Sequence, residues 1–160
     1  MRKIAIIMGS DSDLEIVRPA ANKLSELSIE YEMHVLSAHR TPCAVASFAS
    51  QAYDNGFGCI IAAAGKAAHL AGAIAAQTVL PVIAIPISSK ALGGMDALLS
   101  SVQMPSGIPV ATVAIDGAAN AAILAAQILA LSDERLYNRL KEQRIEMEKA
   151  VLEKDRRLNN

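Results

Sequence analysis

A three-layer α/β fold, with helices covering both faces of one parallel sheet, is predicted for this chain by three observations. Apolar strand-like runs recur at residues 3–8, 31–36, 58–63, 82–87 and 110–115, and helical patterns fill the intervals between them; strands alternating with helices imply parallel crossovers. The first of these runs, Ile4-Ala5-Ile6-Ile7, is continuously apolar, as a strand buried on both faces requires. The chain has 160 residues, which suits one domain and falls well short of the roughly 250 of a closed α/β barrel. Right-handed crossovers then favour an open, doubly wound, flavodoxin-like sheet.

Ligands of such sheets sit beyond the carboxyl ends of the strands. The segments that carry functional weight are therefore 9–13, 37–42, 64–69, 88–94 and 104–107. The first follows a strand as Met8-Gly9-Ser10-Asp11-Ser12-Asp13 and leads into the helical Leu14-Glu15-Ile16-Val17. Glycine and serines at a strand-to-helix turn let backbone N–H groups point at an anion. A carboxylate beside a phosphate is repulsive unless it reaches another part of the ligand, and sugar hydroxyls are the usual partner of such an acid. Ser10, Ser12 and Asp13 thus read as a ribose phosphate cradle, with plain helix capping as the alternative.

The second segment is Ser37-Ala38-His39-Arg40-Thr41-Pro42. Ser37 and Arg40 can hold phosphate oxygens, Arg40 as a bidentate charged partner. Thr41 reads as a helix cap followed by proline at the first helical position. His39 is thereby fixed at the mouth of the site, where an imidazole with an ordinary pKa of about 6.5 can take and give a proton. The third segment, Ala64-Gly65-Lys66-Ala67-Ala68-His69-Leu70, lets substrate or backbone come close. Gly65 supplies backbone freedom, and His69 opens a helix whose partly positive end favours a neutral imidazole or a bound carboxylate. A tight strand-to-helix turn explains the small residues equally well but not Lys66 and His69. The stretch 88–96 reads as a flexible loop and 103–109 as a rigid turn, either able to close over a ligand.

Two helices end the chain, an alanine-rich one from about Ala118 to Leu131 and a charged one over 133–158, with Ser132 and Asp133 as caps between them. Leu136, Leu140, Met147 and Val151 trace a narrow apolar stripe on the latter, too thin to cover the parent domain and suited to another chain. The expected organisation is a single domain over 1–160, with 133–158 as a C-terminal helical extension that serves oligomerisation.

Composition limits the function classes. Net charge is −1 from 15 basic and 16 acidic residues, which marks no nucleic-acid surface and no polybasic membrane patch. Hydrophobic residues make up 52% and aromatics only 3%, without tryptophan, so backbones are expected to pack closely. The apolar tracts Cys59–Ala64 and Ala118–Leu131 are too short or too interrupted for the roughly 20 residues of a membrane span. Met-Arg-Lys leads straight into a strand, and Cys43 and Cys59 lack metal-ligand spacing; reduced thiols and a cytoplasmic location are expected. There is no P-loop, no G-x-S-x-G elbow and no Cys/His zinc pattern, which leaves histidine as the group for chemistry.

Taken together, M-G-S-D-S-D, S-A-H-R-T-P, A-A-H-L, Q-M-P-S-G-I-P-V and A-A-N-A-A-I-L-A-A-Q-I-L resemble the PurE family of purine biosynthesis along nearly the whole chain. S-A-H-R-T-P and A-A-H-L resemble its class I, the N5-carboxyaminoimidazole ribonucleotide mutases. The resemblance implies a carboxyl shift from the exocyclic nitrogen to C4 of an aminoimidazole ribonucleotide, without ATP, metal, biotin or other cofactor. It implies His39 as acid/base, Ser10, Ser12, Asp13, Ser37, Ala38 and Arg40 around the ribose phosphate, and Ala64, Gly65, His69 and Leu70 around the carboxylate and ring. It also implies a homo-octamer with sites at subunit junctions. Two residues depart from the family loop G-G-A-A-H-L-P-G: Lys66 replaces the second glycine and Ala71 the proline. The alternatives are the class II carboxylase reaction with free CO2, and a non-catalytic flavodoxin-like module for phosphate or flavin.

Overall fold

The computed structural model describes residues 2–159. Five strands, β1 (Lys3–Met8), β2 (Tyr31–Val35), β3 (Phe57–Gly65), β4 (Val82–Ile87) and β5 (Ala111–Thr112), alternate with α1 (Leu14–Glu26), α2 (Pro42–Gln51), α3 (Leu70–Ala75), α4 (Met95–Val102), α5 (Ala118–Ala130) and α6 (Glu134–Leu158). The sheet is wholly parallel in the order β2-β1-β3-β4-β5. This is the doubly wound order expected, with its reversal between β1 and β3.

Side-chain alternation sorts the core into two halves. Ile4, Ile6 and Met8 of β1 face α1 and α5 together with Cys59, Ile61 and Ala63 of β3. Ala5 and Ile7 face α2 and α3 with Ile60 and Ala62. On α5, Ala121, Ala122, Ala125 and Ala126 are fully buried; methyl-sized side chains bring that helix close to α1 and the sheet, which accounts for a core nearly free of rings. Burial pushes the Cys59 thiol up to about 12, so it stays protonated and inert, while Cys43 is exposed.

Two expectations change. The run 110–115 pairs only at Ala111 and Thr112, opposite Ile83 and Ala84; beyond it the chain turns at Ala114–Gly117, where Gly117 N–H donates to Ala114 O at 2.9 Å. Thr41 occupies the N-cap position of α2 but makes no cap bond. Its hydroxyl instead accepts from Ser37 N–H at 2.9 Å and donates to Ser37 O at 3.1 Å. Asp133 does cap α6, accepting from Leu136 N–H at 3.0 Å.

The stripe on α6 divides. Leu136 is fully buried and Leu140 packs on the α1/α5 side of the core, and Arg139 donates to the carbonyls of Glu26 and Leu27 at 2.8 Å each, closing the end of α1. Met147, Val151 and Leu158 continue the same helical face, yet are exposed at 67, 64 and 85%. The helix starts as part of its own domain and then leaves it. Among the described residues no helix is long and apolar enough to cross a membrane.

Candidate active site

The carboxyl ends of β1 and β2 are level, with Met8 opposite Val35, and β3 runs on to Gly65 from Ala63, which also lies opposite Met8. Gly9 N–H donates to Ala63 O at 3.1 Å and Leu36 N–H to Met8 O at 3.0 Å, so the three following loops leave the sheet side by side. They enclose a cavity of about 510 Å³, within the usual range for small-molecule sites. Every residue singled out from the sequence lines it: Ser10, Ser12, Asp13, Ser37, Ala38, His39, Arg40, Ala64, Gly65, His69 and Leu70. Gly9, Lys66, Ala67, Ile87, Ser88 and Ser89 complete the wall. The 103–109 turn is absent from it; Gly107, Ile108 and Pro109 line a different cavity with Tyr53 and Val79, since that segment precedes β5 rather than following a strand.

Ser10–Asp13 form a polar knot. Ser10 Oγ accepts from Ser12 N–H at 3.3 Å, and the Ser12 hydroxyl lies 2.9 Å from Ser10 Oγ and 3.2 Å from Asp13 Oδ1. Residues Asp11–Asp13 make a single 3₁₀ turn before α1, so Ser10 caps this turn as well as facing the cavity. Burial holds the Asp13 carboxyl above the usual range, opposed by the Ser12 hydrogen bond and helped by the nearby Asp11 charge. A carboxylate that has lost hydration without gaining a cation is relieved by donors such as sugar hydroxyls.

The loop after β2 is held from within: Ser37 Oγ accepts from Arg40 N–H at 3.2 Å. One guanidinium nitrogen of Arg40 donates to Gly9 O at 2.8 Å, which ties the second loop to the first and leaves the remaining N–H groups for an anion.

Across the cavity the two histidines meet. His39 Nε2 and His69 Nδ1 are 2.9 Å apart, with ring planes inclined at 70°. Such a contact holds one proton between the rings, so the tautomers are linked: whichever nitrogen donates, the other accepts. This pairing was not foreseen from the sequence, because it depends on the lateral placement of β2 and β3 on either side of β1.

The backbone freedom expected of Gly65 belongs one residue later. Gly65 serves close approach, since a Cβ there would stand 3.3 Å from Ile87 O, whereas Lys66 takes the left-handed conformation with φ 55°. Lys66 is exposed and has no ion-pair partner among the described residues. Left-handed backbone costs a residue with a Cβ about 1–2 kcal/mol, and glycine gives back part of that through its unfolded-state entropy. Lys66→Gly is therefore expected to leave turnover and substrate affinity within twofold and to change stability by no more than about 1 kcal/mol, towards a higher Tm. Steady-state kinetics with a melting curve checks this; a tenfold fall in kcat/KM would put the ammonium on the substrate.

A polar cavity at the strand-order reversal, lined by an arginine with N–H groups to spare and by two imidazoles in hydrogen-bond contact, has the make-up of an α/β enzyme site for a small molecule. Comparison with known proteins narrows the class. A model of the AIR carboxylase family matches residues 3–150. The chain is 54% identical over 149 residues to the N5-carboxyaminoimidazole ribonucleotide mutase of Pyrococcus abyssi, covering 93% of this chain and 86% of that one. It is 53% identical over 152 residues to that of Bacillus subtilis, covering 94% of each, and 52% identical over 153 residues to that of Escherichia coli K12, covering 94% and 90%. The crystal structure of Treponema denticola PurE superposes with a TM-score of 0.89 at 32% identity, covering 98% of both chains. The chain belongs to the AIR carboxylase family.

Proposed function

We propose that the chain is an N5-carboxyaminoimidazole ribonucleotide mutase of purine biosynthesis, an isomerase that moves a carboxyl group from the exocyclic nitrogen to C4 of the imidazole. The observation that carries this is identity at about half of all positions, over nearly the whole chain, to proteins of that name. The cavity suits the substrate's parts. Ser10, Ser12, Ser37, Ala38 and Arg40 take the ribose phosphate, Asp13 accepts from sugar hydroxyls, and Ala64, Gly65, His69 and Leu70 surround the carboxylate and ring.

The reaction balances without an outside reagent. The C–N bond of the carbamate breaks as its nitrogen takes a proton, releasing CO2 and the electron-rich aminoimidazole. C4 attacks the trapped CO2, and His39 removes the C4 proton, restoring the ring and replacing the proton delivered to nitrogen. One imidazole serves both transfers, and His69, through the contact between the rings, fixes which nitrogen of His39 is free. Small apolar residues near the reacting carbon exclude water and keep CO2 in place, while phosphate binding holds the ring in register.

The flavin-binding alternative lacks support, because no Tyr or Phe lines the cavity; Phe48 and Phe57 pack against each other, tilted by 48°, on the α2/α3 side of the sheet. Assaying the purified chain with the carbamate and, separately, with aminoimidazole ribonucleotide plus bicarbonate tests the reading. Turnover of the first substrate supports the mutase, whereas turnover of the second alone overturns it in favour of the class II reaction. Arg40→Ala removes a charge-assisted contact worth about 1.5–3 kcal/mol and is expected to weaken ribose phosphate binding about ten- to a hundredfold by calorimetry. Unchanged affinity would take Arg40 out of the phosphate site.

Assembly belongs to the same proposal. The apolar face of α6 runs from the domain's own core at Leu136 and Leu140 into solvent at Met147, Val151 and Leu158. A second copy of the chain is the partner that covers it, and the family resemblance points to an octamer. Residence in the cytoplasm follows from the substrate, a phosphate ester that does not cross membranes unaided.

A further inference from the structure

The loop between β4 and α4 forms one wall of the cavity through Ser88 and Ser89, and it is held from outside the site by a single turn. Asp116 N–H donates to Pro86 O at 2.9 Å. Its carboxylate oxygen Oδ1 accepts from Ser88 N–H, also at 2.9 Å, across 28 residues of sequence. The neighbouring Ile115 covers the other end of the loop: a Cβ on Gly94, which has φ 90°, would stand 2.7 Å from Ile115 Cγ2. The turn thus grips the loop where it leaves β4 and where it enters α4. Asp116 does this in the left-handed conformation, φ 57°, a strain that persists in a folded chain where surrounding contacts over-determine it. Within the loop the Ser89 hydroxyl is buried without a hydrogen-bond partner among the described residues.

We propose that Asp116 is a positioning residue for the substrate cavity, holding Ser88 and Ser89 in place as its wall through the bond from Ser88 N–H to its carboxylate. It touches no substrate. The proposal rests on the mutase reading only for the choice of substrate. Without the latch, the 88–94 loop samples open conformations, and the binding-competent state is a smaller fraction of the population; apparent affinity falls in proportion while the chemical step is spared.

The test compares Asp116→Gly, which removes the acceptor and also relieves the strain, with Asp116→Asn, which keeps an acceptor oxygen and tolerates the left-handed conformation. Asp116→Gly is expected to raise KM for the carbamate nucleotide about fivefold with kcat within twofold, and to speed amide hydrogen exchange at residues 88–94 about tenfold, with no loss of Tm. Asp116→Asn is expected to restore both. A purely structural role would move Tm and leave KM and loop exchange alone; that result, or a failure of Asp116→Asn to rescue either measure, overturns the proposal. Absence of turnover in the parent chain would instead overturn the mutase reading, and the exchange comparison, which uses no substrate, would still decide whether Asp116 holds the loop.

Discussion

Replacing His39 by Asn is expected to lower kcat about a thousandfold or more while leaving nucleotide affinity within a few-fold. General acid–base catalysis by one positioned side chain is worth about 10²–10⁴, and in the proposed mechanism the same imidazole serves both the nitrogen and the carbon end of the transfer. A thousandfold loss corresponds to about 4 kcal/mol of transition-state stabilisation. Binding is spared because the phosphate and sugar contacts are assigned to other residues of the cavity, Ser10, Ser12, Asp13, Ser37, Ala38 and Arg40. Single-turnover kinetics beside a binding isotherm separates the two quantities. Near-normal turnover would remove His39 from the role of proton carrier.

The second large effect concerns α6, and the structure divides it into two experiments. Deleting 133–160 removes Leu136, a fully buried side chain, and the Arg139 contacts that close α1. Burial of one such leucine contributes about 1.5–3 kcal/mol, and the exposed alanine-rich α5 invites aggregation; a less stable, poorly soluble product of smaller size is expected. Deleting only 144–160 keeps Leu136, Arg139 and Leu140 while removing Met147, Val151 and Leu158. That shorter cut is expected to leave a folded chain with a cooperative melt and fewer subunits per particle by light scattering. A particle with the parent's subunit number would show that the exposed half of α6 joins no other copy.

Much of this was legible in the sequence, for identifiable reasons. β1 and β3 announce themselves because strands buried on both faces exclude polar residues, and the ends of α5 and α6 follow from Ser132 and Asp133. The cavity residues were legible because a doubly wound sheet sends its ligand to the loops after its strands, so Ser10, His39, Arg40 and His69 had to converge once the fold was right. Local chemistry misled where a residue has two uses. Thr41 reads as a cap, yet its hydroxyl closes the Ser37 loop instead. Val110–Ile115 reads as a strand, yet only Ala111 and Thr112 pair in register at the sheet edge, with one further bond from Val113 N–H to Ala84 O at 3.1 Å. Long-range geometry was not legible at all. The contact of His39 with His69 spans 30 residues, and the left-handed Lys66 carries a side chain that gives no sign of it. An Asp-Gly pair just past a strand was the one available pointer to the Ala114–Gly117 turn.

The claim at the centre of this account is that the carboxyl group moves within the cavity, from nitrogen to carbon of the same bound nucleotide, as CO2 that does not escape. Substrate carrying carbon-13 at the carbamate carbon, turned over by the chain in a large excess of unlabelled bicarbonate, measures this directly by NMR of the product carboxylate. Retention of the label in nearly all of the product is the predicted result. Product carrying mostly unlabelled carbon would mean that the chain draws its CO2 from solution, and would contradict the account.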